Sequence, residues 1–417
     1  MDIDRRTLLG GAAALPLATS AIAAAPTDDY WERIAREYDV TREVIQLEHG
    51  NWGMMARPVR EAYREHVNRV NRDTSYYARR TMVADLDAVR ARLAQWMGVD
   101  FEEIALTRNA TEALKGLILQ YNRLKPGDAV LYADLDYYSM QSCMDSLARS
   151  RGVQVIKIAL PEPATRQSLI DAYAEAFAAN PKVKMALLTH IGHRTGLALP
   201  IADIATLAKA RGVDVIVDAA HSVGQLDFKL PDTNADFIGM NIHKWLGAPL
   251  GVGAIYVRRD RQDSIDVDPA ENVLPPSDVA SRVHVGTPDF AAQLTVPDAL
   301  AFQDSIGAGR RAARLRALRD RWVNAVRDLP QIQVLTGDDP TLHGAITSFR
   351  IRGRTSKDDN VALAKTLLDK HRTFTVYRDG LASGCCVRVT PALATRMSEV
   401  DAFARALREV ATASDRA

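Results

Sequence analysis

At 417 residues, 47% hydrophobic and 25% charged, the chain has an ordinary globular composition and room for one large or two intimate domains. Its 53 basic and 52 acidic residues leave a net charge of +1, which gives no electrostatic footing for nucleic acid or an anionic membrane; small polar molecules are the default partners. Cys143, Cys385 and Cys386 do not make a disulfide framework, and without CxxC or HExxH spacing no metal site is expected.

The chain opens with "DRRTLLGGAAALPLATSAIAAAP", in which Arg5-Arg6 precede an apolar stretch from Leu8 to Leu17 and a small-residue site at Ala21-Ile22-Ala23. That order predicts a signal peptide over residues 1–25 of the twin-arginine (Tat) type, which exports folded proteins to the periplasm; an uncleaved anchor helix is the alternative. No later apolar run approaches the ~20 residues of a membrane-spanning helix, so no stable membrane insertion is expected after cleavage.

Residues 26–60 read as an arm with a short strand, Val44–Leu47, and a loop, "EHGNWGMMARP". Helical periodicity follows through Val59–Asn71 and Leu86–Met97. From "IALT" onward, β-branched runs such as "AVLYAD", "KMALLTH" and "DVIVDAAH" alternate with amphipathic helices such as Thr111–Tyr121 and Ile201–Arg211. This alternation predicts an α/β architecture with a mostly parallel sheet and helices on both faces, a large domain over 61–296. Beyond Pro297, "GRRAARLRALRDRWVNAVRDL" reads as a basic helix whose arginines face solvent around a stripe of Leu315, Leu318 and Trp322. The strands and helices after it predict a smaller α+β domain over 297–417.

Ligands of open α/β sheets bind beyond the carboxyl ends of the strands. There "DVIVDAAHSVGQ" places Asp218 and His221, and "DFIGMNIHKWLGAPLGVGAIYV" places Asn241, His243 and Lys244 one connection and one strand later. Alone, Asp218 also suits a helix N-cap and Lys244 a surface position. Together, with the glycine-rich return strand, they resemble the cofactor site of pyridoxal 5'-phosphate (PLP) enzymes of fold type I, and specifically the class V aminotransferase group that includes cysteine desulfurases and isopenicillin N epimerase-like proteins. The resemblance runs from "LEHGNWG" to "CVRVTPAL" and implies a mostly parallel seven-stranded sheet.

The resemblance implies a role for each residue. Lys244 takes the position that bonds the cofactor's aldehyde carbon and moves the Cα proton. Asp218 faces the pyridine nitrogen, and His221 the ring 3-hydroxyl. Ala110 and Thr111, opening a helix after "IALT", take the phosphate-cup position, with His243 as a second donor. Gly286 and Thr287 in "VGTPD" reach the phosphate of the other subunit of a homodimer, although Thr287 alone reads as a turn residue. Tyr137 covers the ring where desulfurases carry histidine, or else is a half-buried core aromatic. His193 stands where desulfurases commonly carry asparagine. Arg388 grips the substrate carboxylate, with Arg378 as a second cation and Asn51 as a further substrate contact; a surface salt bridge is the alternative for each arginine.

Desulfurases also carry a nucleophilic cysteine on a mobile loop, whereas "RDGLASGCCVR" is short and sets Cys385 and Cys386 in a strand-like run, which reads as structural. The expected function is a PLP enzyme acting at the α-amino carbon of an amino acid or amino-acyl group, tailoring a secreted metabolite in the periplasm, as the exported class V enzyme of siderophore (pyoverdine) maturation does. Transamination, epimerisation, elimination and oxidative deamination all remain open. A cysteine desulfurase or C–S lyase and a non-catalytic PLP-binding protein are the alternatives.

Overall fold

The structure, a computed structural model, describes residues 27–414, so the expected signal peptide lies outside the described residues. The N-terminal segment runs from helix α1 (Asp28–Arg36) through a two-residue strand, β1 (Ile45–Gln46), to helices α2 (Arg57–Arg80) and α3 (Met82–Met97). Helix α2 is longer than the periodicity through Asn71 indicates. It is two helical pieces joined at a kink where Thr74 has φ 37°.

The α/β section follows as β2 (Ile104–Thr107), α4 (Ala110–Leu119), β3 (Ala129–Ala133), α5 (Tyr138–Arg151), β4 (Gln154–Ile158), α6 (Arg166–Ala179), β5 (Val183–Thr189), α7 (Ile201–Lys209), β6 (Asp214–Asp218), β7 (Phe237–Asn241) and β8 (Gly253–Val257). The seven strands form one sheet in the order β2-β8-β7-β6-β5-β3-β4. It is parallel apart from β8, which runs antiparallel to both neighbours. Helices cover both faces, so β3, β7 and β8 are buried at every position, and their continuous apolar runs are what such a sheet demands. Helix α4 starts where the Asn109 side chain accepts from the Glu112 N–H at 2.9 Å, and it buries Leu114, Leu117 and Ile118 on one face.

Three helices, α8 (Phe290–Leu294), α9 (Val296–Ile306) and α10 (Ala308–Val326), lead into the C-terminal part. It comprises β9 (Ile332–Val334), β10 (Thr347–Ile351), α11 (Lys357–His371), β11 (Thr373–Phe374), β12 (Val376–Arg378), β13 (Cys386–Val389) and α12 (Met397–Ser414). Strands β12-β13-β10-β9 form an antiparallel sheet with its own core, in which Trp322 meets Phe349 and Phe403 edge-on. Truncating such a buried tryptophan to alanine costs about 3–5 kcal/mol.

The basic helix corrects one expectation. Arg311, Arg314 and Arg319 of α10 are buried, not solvated. Arg311 Nε donates to Gly224 O at 2.6 Å, Arg319 Nη2 to Thr336 O at 3.1 Å, and Arg314 lies over the Trp31 ring. These arginines fasten loops whose carbonyls would otherwise be buried without donors.

One long-range pairing positions the site. β1 pairs in parallel with β11, and beyond it Leu47 O accepts from the Thr390 N–H at 2.8 Å. Glu48 is thereby laid beside the end of β13.

Candidate active site

The carboxyl ends of β5, β6 and β7 open into a cavity of about 440 Å³, closed on its other side by the Gly50–Asn51 turn and by residues of β12 and β13. Asp218 ends β6. It is buried, its Oδ1 accepts from the Ala220 N–H at 2.9 Å, and burial raises its pKa above the usual carboxylate range. Lys244 follows β7 at the cavity wall, where burial brings its pKa down to about 8 against the opposing pull of Asp218. Its Nζ lies 3.0 Å from His221 Nε2. Trp245 Nε1 donates to His221 Nδ1 at 3.3 Å, so the neutral ring turns its N–H toward Lys244. Burial and then the Lys244 charge hold His221 well below its ordinary pKa, in keeping with that neutral form.

Close backbone approach builds this wall. The Gly53 N–H donates to His243 O at 3.0 Å, and a Cβ on Gly53 would stand 1.7 Å from Lys244 O. A Cβ on Gly50 would meet Arg388 Cζ at 2.8 Å. The glycines of "EHGNWG" therefore let one turn touch both the lysine loop and the arginine strand.

The N-terminus of α4 points into the same cavity through Ala110 and Thr111, and Asn241 Oδ1 accepts from the Ala110 N–H at 2.8 Å. His243 Nδ1 donates to Val252 O at 2.8 Å, leaving Nε2 as the ring nitrogen free for a ligand. As a phosphate donor His243 needs a second proton, which burial opposes and an adjacent dianion would favour.

Arg388 faces the cavity from β13, and its Nη1 donates to His193 O at 2.7 Å. Burial lowers its pKa to about 10. Its Nη2 pairs with Glu48, whose Oε1 also accepts from Arg378 Nη2 at 3.0 Å. Arg388 Nε, Arg378 Nε, Glu48 Oε2 and His193 Nδ1 are buried without partners among the described residues. Such orphaned groups cost ~1–3 kcal/mol each, and those on the cavity's own residues, Arg388, Arg378 and His193, mark where a polar ligand belongs. Tyr137 packs edge-on against His193, with ring centroids 5.1 Å apart, and its hydroxyl donates to Tyr138 Oη at 3.2 Å.

Lys244, Asp218, His221, His243, Ala110, Thr111, Tyr137, His193, Asn51, Arg378 and Arg388 all line this one cavity. Gly286 and Thr287 do not; they are exposed on the segment before α8. Neither Cys385 nor Cys386 lines it. Cys386 is fully buried with its thiol pushed up to about 12, and the preceding turn is tied down by Ala382 N–H to Asp134 and by Ser383 Oγ to Glu162. Sequence reasoning missed Glu48 and also Arg194, whose Nη1 donates to Asp136 O at 2.9 Å beside the cavity. The one signal for Glu48 was a carboxylate inside the glycine turn motif.

The donor set fits PLP: an amine of lowered pKa, a buried carboxylate in need of a cation, a helix N-terminus for a phosphate and a planar aromatic wall. These features define a PLP-dependent enzyme site on an α/β fold. Residues 55–403 match the model of the aminotransferase class-V family, and the chain belongs to that family. Among its relatives, isopenicillin N epimerase of Streptomyces clavuligerus is 29% identical over 399 residues, covering 90% of this chain and 97% of the relative. Putative L-cysteine desulfhydrase 1 of Oryza sativa subsp. japonica is 28% identical over 296 residues, covering 65% of this chain and 60% of the relative. The fold is similar to that of apo cysteine desulfurase from Thermococcus onnurineus NA1, with TM-score 0.77 at 20% identity over 92% of this chain and 98% of that one. It is likewise similar to a C-DES mutant with glycine covalently linked to the PLP cofactor, with TM-score 0.75 at 19% identity over 91% and 99% of the two chains.

Proposed function

We propose that this PLP enzyme binds an amino acid or amino-acyl group by its carboxylate on Arg388 and moves the Cα proton with Lys244, modifying a secreted metabolite after export to the periplasm. The observation that carries the reading is Lys244 itself, an amine with pKa about 8 in one cavity with Asp218 and Arg388.

Bound PLP supplies an aldehyde carbon for amines and a ring that withdraws electrons from the carbon bearing the amine. The protein does the rest. Asp218 offers a buried negative charge to the ring nitrogen, and Thr111 and His243 offer N–H groups to the phosphate at the start of α4, where the Ala110 N–H is held by Asn241. Arg388 fixes the substrate carboxylate and so aims the Cα–H bond. Lys244 Nζ, half neutral near pH 8, accepts that proton and returns it, and the His221 N–H positions the neutral amine before it takes the proton. Which atom receives the proton back decides among the reaction branches.

The test is exchange of Cα–H for deuterium in heavy water, screened over amino acids and short peptides. Exchange with wild type and none with Lys244→Ala supports the reading, and exchange undiminished in Lys244→Ala refutes it. Sulfide release from cysteine in the same screen would favour a C–S lyase. That chemistry needs no protein thiol, which is why the burial of Cys386 weighs only against a desulfurase. The exposed Gly286–Thr287 segment supports a homodimer in which each copy serves its partner's phosphate. Loss of PLP from Thr287→Ala, with sedimentation as a dimer, is the expected result. For export, replacing Arg5 and Arg6 by lysine should strand loaded enzyme in the cytoplasm.

A further inference from the structure

Glu48 does not line the cavity, yet it touches two residues that do. Its Oε1 accepts from both Arg378 Nη2 and Arg388 Nη2, and its own side chain is only 7% exposed. The pairing of Leu47 and His49 with Thr390 fixes the backbone on either side, so the carboxylate is held where it is. Two neighbouring guanidinium groups repel, and each pays for burial in lost hydration. One carboxylate shared between them leaves a net charge of one. A substrate carboxylate on Arg388 then completes neutrality of this trio, and because Arg194 at the same cavity is opposed by the charge of Asp379, a second carboxylate would meet no uncompensated cation.

We propose that Glu48 is the specificity-determining residue of the carboxylate subsite: as the shared buried counter-ion of Arg378 and Arg388, it admits a substrate with one carboxylate at its reacting end and disfavours one with two. The substrate class is an amino acid or amino-acyl group with a free α-carboxylate and an uncharged, amidated or peptide-linked side chain. This rests on the reading of Arg388 as the carboxylate anchor. Glu48 acts through the arginines and is a positioning residue.

The experiment is calorimetric titration of PLP-loaded enzyme with propionate and succinate as one-charge and two-charge probes. Wild type binds propionate in preference to succinate, and Glu48→Gln, which keeps the size and an acceptor oxygen but loses the charge, shifts the ratio toward succinate by about tenfold or more. Glu48→Asp keeps the wild-type preference. Arg378→Gln, which leaves a neutral Glu48–Arg388 pair, loses propionate affinity, and the double variant Glu48→Gln with Arg378→Gln regains it by restoring one net positive charge. An unchanged succinate-to-propionate ratio in Glu48→Gln, or a double variant that does not regain propionate, overturns the proposal; the double variant also serves if Glu48→Gln alone does not fold. If Arg388→Ala binds propionate as wild type does, it is the anchor reading that fails. With that variant unable to bind propionate, an unchanged ratio condemns the role of Glu48 alone.

Discussion

The two walls of the cavity are built in different ways. The cofactor wall comes from strand ends close in sequence: Asp218 ending β6 with His221 just after it, then Asn241 ending β7 with His243 and Lys244 just after it. The substrate wall is assembled from afar, since the Glu48–Arg388 pair spans 340 positions and Arg388 reaches His193 across 195. The first is a local motif that polar ends of apolar strands announce. The second exists only once β1, β11 and β13 have come together, and its charges are tuned by mutual burial.

Breaking the cofactor wall should have the largest effect. Lys244→Ala should lower turnover by about 10³-fold or more, measured as Cα-deuterium exchange, because proton transfer at a positioned base is lost. Asp218→Asn should keep PLP bound while slowing exchange by roughly 10²–10³-fold, since the electrostatic partner of the ring is neutralised. Breaking the substrate wall should act on binding instead. Arg388→Ala should raise KM by about 10²-fold and, by leaving the buried Glu48 with Arg378 as its one remaining cation, cost about 1–3 kcal/mol of stability in denaturant unfolding.

A gentler probe sharpens the comparison. Because the neutral amine of Lys244 is the reactive form, the rate at which apoenzyme takes up PLP should rise with pH through a midpoint near 8, well below the ordinary lysine value of 10.5. Removing the Arg388 charge should move that midpoint upward, since the guanidinium lowers the amine's pKa. The smallest effect is expected at Cys386. Its alanine variant should turn over as wild type does, losing about 1 kcal/mol of stability.

The same contrast governs how far the sequence could be read. The sheet, its β-branched strands and the Asp218–Lys244 block were legible because periodicity and strand-end placement are local properties. Glu48 was not, because nothing in "LEHGNWG" says which distant cation its carboxylate will meet. The arginines of α10 were misjudged for a related reason. Helical spacing shows how charges are distributed around a helix, but not that loop carbonyls at Gly224 and Thr336 will reach over and bury some of them.

Both walls converge on one atom, Lys244 Nζ. The most direct measurement is borohydride reduction of the purified protein followed by digestion and mass spectrometry. The account predicts a phosphopyridoxyl group on Lys244, absent from Lys244→Ala. A label on another lysine, or one that survives in Lys244→Ala, would contradict it.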